Sequence, residues 1–124
     1  MLLDEIRELY RRYSKLIDGQ KSELPIGTTP DDFGGRHLEI SPDGKMALVG
    51  TDRGRETKRQ ETRSVDELLY WFFVGQANSK AFYRKQERYD YEASQTIALD
   101  EIGKISSKWR ERLRQEQLSF KRKA

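Results

Sequence analysis

Along LLDEIRELYRRYSKLID, Leu2 to Asp18, apolar residues fall at Leu2, Ile6, Leu9, Tyr13 and Leu16, in steps of 4, 3, 4 and 3. That spacing lines one face of an α-helix. Gly19 follows as a stop signal. Residues 19–36 then collect Pro25, Pro30, Gly27, Gly34 and Gly35, a composition that predicts a long connecting loop. From His37 the period changes to two. Leu38 and Ile40 share one face of a first strand, and Met46, Ala47, Leu48 and Val49 give a second strand apolar groups on both faces, as a central strand requires. Ser41-Pro42-Asp43-Gly44 and Thr51-Asp52-Arg53-Gly54 supply turns between the strands. The third strand, roughly Arg55 to Thr62, carries no large apolar side chain and reads as a charged edge.

Ser64 and Glu67 frame a helix start, the capping-box spacing, in front of LLYWFFV, Leu68 to Val74. Consecutive apolar positions cover every side of a helix, so this segment is expected to be buried all round, as the central helix of the core. The helix continues through GQANSKAFYRKQERYD. A last helix is expected from about Tyr91, with Ala98, Ile102, Ile105, Trp109 and Leu113 as its apolar stripe, Gly103 as a local weakness and the final KRKA frayed. The resulting architecture is α+β: an N-terminal helix, a three-stranded antiparallel meander, then two long helices packed on the sheet. At 124 residues one domain is expected, over residues 1–118, followed by a basic tail at 119–124.

Composition narrows the functional classes. The hydrophobic share is 35% and the charged share 36%, so a compact core lies under a very polar surface. Cysteine is absent, which removes disulfides, thiolate metal sites and cysteine nucleophiles and fits a reducing cytoplasm. The chain has neither a spanning segment of about 20 apolar residues nor a signal-peptide pattern, so no membrane is expected. The sequence pI is about 9.2, yet the excess is local. Residues 108–124 hold seven basic and two acidic groups, whereas the remainder holds 17 and 19.

Candidate chemistry is sparse. His37, the single histidine, opens a strand without a partner motif and is read as structural or surface. Asp31 and Asp32 are adjacent acids in a Pro/Gly loop, where solvated or capping roles outweigh cation binding. No phosphate-binding glycine signature occurs. Neither cofactor nor small-molecule substrate is expected, and the protein is read as not an enzyme.

Three segments together resemble the immunity protein 63 family of bacterial polymorphic-toxin systems. Gly50-Thr51-Asp52-Arg53-Gly54 is similar to its acidic-Arg-Gly turn, with Asp52 where that pattern carries a glutamate; Ser64-Val65-Asp66-Glu67-Leu68-Leu69-Tyr70-Trp71-Phe72-Phe73 resembles its D-E-L-L-Y-W helix start; and Gly103-Lys104-Ile105-Ser106-Ser107-Lys108-Trp109 resembles its G-K-[LI]-S-x-x-W. The resemblance implies a cytoplasmic, non-enzymatic protein that binds and neutralises a cognate toxin domain by direct contact. The surface expected to make that contact is the charged third strand with its turn and the preceding loop: Asp31, Asp32, Arg36, Asp52, Arg53, Arg55, Glu56, Lys58 and Arg59. The alternative is a small nucleic-acid-binding protein that uses the C-terminal helix and tail, with affinity falling steeply in salt.

Overall fold

The computed structural model describes residues 2–29, 33–84 and 91–123, with side chains placed for most of them. The element order is α1 (Leu2–Asp18), β1 (Phe33–Ile40), β2 (Met46–Asp52), β3 (Arg55–Thr62), α2 (Val65–Arg84), α3 (Tyr91–Gly103) and α4 (Ser107–Lys123). The α+β class and the antiparallel meander are as the sequence predicts. The chain separates into two compact units, residues 1–15 with 21–69 and residues 16–20 with 70–124.

In the first unit the sheet has the order β1-β2-β3, so β2 is central. Met46 to Thr51 are buried along it, on both faces, because its side chains alternate and neither face is open to water. Arg55 to Arg59 are exposed, as a charged edge should be. The two hairpins use different turns. Between β1 and β2, Gly44 sits at φ 90° and its N–H closes on Ser41 O at 3.0 Å. Between β2 and β3, Arg53 at φ 54° and Gly54 at φ 77° form the two-residue loop whose twist matches that of the strands.

On α1, Ile6, Tyr10 and Ser14 are the buried residues. The stripe is therefore turned by roughly 80° from the expected one, at about 100° per residue, and Leu16 is 54% exposed. Hydrogen bonding explains the turn. Ser14 Oγ accepts Ser22 N–H at 2.9 Å and donates to Arg11 O, while Arg11 grips Glu23 through two 2.9 Å hydrogen bonds. The loop after Gly19 is thereby tied to the Arg11 and Ser14 side of the helix. Its Gly27 carbonyl accepts Leu38 N–H at 2.9 Å, which occupies part of the outer edge of β1.

Ser64 caps α2, its Oγ accepting Glu67 N–H at 3.2 Å, while Ser64 N–H donates to Thr62 Oγ1. Within LLYWFFV, Leu68, Leu69, Tyr70, Phe72 and Phe73 are buried, but Trp71 and Val74 are only half-buried. Complete burial of every side is thus not reached: positions 71, 74 and 78 keep one strip of the helix partly open.

The single last helix expected from Tyr91 is two helices. The α-helical bond pattern fails after Gly103, where Lys104 N–H reaches Glu101 O and Ile105 N–H reaches Ile102 O. Ser106 then restarts the chain, its Oγ accepting Trp109 N–H at 3.1 Å as the N-cap of α4. Gly103 makes room for the return, since a Cβ there would stand 2.9 Å from Arg110 Cδ. The helix extends through the basic end to Lys123. In this second unit Tyr70 and Phe73 pack on Trp109, ring centroids 5.7 and 6.4 Å apart, and Arg112 lies 3.9 Å over the Tyr70 ring. Tyr70 Oη also donates to the Glu116 carboxylate.

Candidate partner-binding surface

Register decides which charges share a face of the sheet. Arg36, Gly50 and Lys58 are opposite one another across the three strands, and so are His37, Val49 and Arg59. Both outer strands then slip against β2. On β3, Gly50 pairs with Lys58 but Thr51 pairs with Glu56, so Thr57 is an extra residue, a β-bulge. On β1 the slip falls between Phe33 and Arg36, at Gly34 and Gly35. Gly50 fits the β3 bulge because a Cβ on it would stand 3.0 Å from Thr57 Oγ1.

One face carries a connected set of charges. His37, only 1% exposed, places Nε2 at 2.9 Å from Glu39 Oε2. The carboxylate makes Nε2 the donor, and Nδ1 is buried without a hydrogen-bond partner among the described residues. Arg59 reaches Glu39 Oε1 at 3.0 Å and Glu56 Oε1 at 2.7 Å. Since Arg59 lies opposite Val49 and Glu39 opposite Ala47, their ion pair spans the central strand diagonally. The hydrogen bond from His37, and next that from Arg59, hold the Glu39 carboxyl below its ordinary range. Glu56 and Glu39 hold the Arg59 guanidinium above its own. Lys45 and Glu61 add a 2.7 Å pair near the other end.

The opposite face differs. Arg36, Asp52, Arg55 and Lys58 share it, all exposed, and Arg53 stands at the hairpin tip. Among the described residues none of these four cations makes an ion pair. The sequence-derived surface is therefore brought together at one end of the sheet, but divided between two faces: Glu56 and Arg59 on one, Arg36, Asp52, Arg55 and Lys58 on the other. Asp31 and Asp32 lie outside the described residues. Glu39 was not singled out by sequence reasoning, although it joins His37 to Arg59. Its one signal was the alternation that puts it on the His37 face.

Residues 43–119 match the family model of immunity protein 63. The chain belongs to the immunity protein 63 family. No curated protein and no solved structure matches it. The matched span takes in β2, β3 and the motif helices, so the resemblance read from three short segments extends across most of the chain.

The structure gives two of those segments a shared physical meaning. D-E-L-L-Y-W supplies Tyr70, G-K-I-S-S-K-W supplies Trp109, and the two rings meet in the core of the second unit. Gly103 and Ser106 of the latter segment form the break and the cap that set Trp109 in place. These are folding determinants of an immunity protein 63 chain, whereas the Asp52-Arg53-Gly54 turn is exposed. On α4, Arg112 is engaged with Tyr70, and Arg114 pairs with Glu111 at 2.7 Å and holds that carboxyl down to about 2. Among the described residues no group of three His, Cys, Asp or Glu side chains could hold a metal ion, and no helix is long and apolar enough to cross a membrane.

Proposed function

We propose that this immunity protein neutralises a cognate toxin domain by binding it directly, in the cytoplasm of the producing or sibling cell, without catalysis. Family membership over residues 43–119 carries this reading. The exposed end of the sheet supports it physically. Inhibition requires only that a surface cover the toxin's catalytic cleft or obstruct its substrate, and charged surfaces accelerate the encounter. We assign the contact to Arg36, Asp52, Arg53, Arg55, Glu56, Lys58 and Arg59, together with Asp31 and Asp32, which precede β1 in the sequence.

Co-expression with the toxin domain encoded beside this chain tests the reading. Growth should be restored, and the purified proteins should elute as a stoichiometric complex that survives nuclease and high salt. Full toxin activity at saturating immunity protein, with no complex formed, would refute it.

A further inference from the structure

We propose that Arg36, Arg55 and Lys58, with Arg53 at the hairpin tip, receive carboxylate groups of the partner protein, while Glu56, Arg59, Glu39 and His37 on the opposite face brace the sheet. This rests on the immunity reading and specifies what the partner presents there: an acidic segment.

Thr57 creates the division. Plain alternation along Arg55 to Arg59 would set Lys58 beside Glu56 and Arg55 beside Arg59, leaving both faces of mixed or scattered charge. The bulge moves Glu56 onto the face of Arg59, where the two pair at 2.7 Å, and joins Lys58 to Arg55 and Arg36. One face is thereby neutralised internally. The other keeps three exposed cations beside a single described carboxylate, Asp52.

Arg53 points the same way. An L-residue at φ 54° is strained, and asparagine or glycine would relieve the strain at this turn position. An arginine kept there, exposed at the tip of the hairpin, fits a contact role. Arginine forks also match carboxylates through paired hydrogen bonds. The two strand edges are unequal as well. Gly27 occupies the Leu38 amide on the outer edge of β1, whereas Arg55 to Arg59 on β3 are open to an approaching partner.

The test measures binding of the full chain to the adjacent toxin domain at about 50 and about 300 mM salt, where the screening length falls from about 14 to about 6 Å. Arg36→Glu/Arg55→Glu/Lys58→Glu is compared with His37→Gln, and circular dichroism checks that each is folded. The triple reversal should weaken binding by about a hundredfold at low salt, mostly through a slower on-rate, and by less at high salt. His37→Gln should lower the unfolding midpoint and leave the on-rate within about twofold, because it alters the buried side of the bracing face and none of the exposed charges.

If the triple variant fails to fold, Arg55→Gln/Lys58→Gln must show the same salt-sensitive loss. Should the wild type bind the toxin and the folded variants bind equally well, this assignment is wrong and the immunity reading stands. A wild type that ignores the toxin removes both. Retention of a short single-stranded RNA through these same cations, in place of the toxin, would show a nucleic-acid site and overturn the proposal of an acidic protein partner.

Discussion

Replacing Trp109 with alanine is expected to lower the unfolding free energy by about 3–5 kcal/mol, the usual range for removing a large aromatic from a core. Trp109 is 4% exposed and packs in tilted contacts against Tyr70 and Phe73. Burying about 150–250 Å² at about 25 cal/mol per Å² gives roughly 4–6 kcal/mol as an upper bound. A domain of this size is stable by only about 5–15 kcal/mol. The variant should therefore sit near the limit of folding. Urea unfolding followed by far-UV circular dichroism reads the change, and Trp71 remains as a fluorescent reporter. Trp109→Leu and Tyr70→Leu, combined in a double-mutant cycle, should couple by about 0.5–1.5 kcal/mol. A loss below about 1 kcal/mol for Trp109→Ala at unchanged m-value, or zero coupling, would refute the assignment of the two motif segments to one core.

Two further outcomes follow from the sheet. The Glu39 carboxyl is held below its ordinary value of 4.5, so its stabilising effect is complete above that value and disappears as pH falls through the lower folded-state value. The melting-temperature gap between wild type and Glu39→Gln should accordingly close in acid. A gap independent of pH from about 7 to about 3 would contradict the His37–Glu39–Arg59 linkage. Arg53→Asn should raise stability by up to about 1 kcal/mol, because asparagine tolerates the left-handed turn conformation. Loss of stability in that variant would mean that Arg53 carries a folding contact.

Local signals carried the fold a long way. Gly19 at φ 74° ends α1, Ser64 caps α2, and Gly44 and Gly54 sit at positive φ in the two hairpins, because caps and turns depend on residues adjacent in the chain. The apolar run Met46 to Val49 announced a strand covered on both faces, since no other placement hides four consecutive apolar groups in a sheet. Periodicity was less decisive for α1. Leu16 belongs to a helical stripe, yet Ser14 took the buried place through its bonds to Ser22 and Arg11. Equally, an unbroken stripe from Ala98 to Leu113 passed over the break at Gly103, because the apolar spacing is similar on either side of a short interruption.

The sequence alone determined the order of elements, the charged edge and the residues gathered at the end of the sheet. Tertiary structure alone decided their partition. Nothing in RETKRQET marks Thr57 as the extra residue; the bulge exists only in the pairing with β2, where Gly50 leaves space for the threonine hydroxyl. A one-residue slip reverses the face of every side chain beyond it. Long-range register, not local propensity, therefore set Glu56 against Arg59 and left Arg36, Arg55 and Lys58 together.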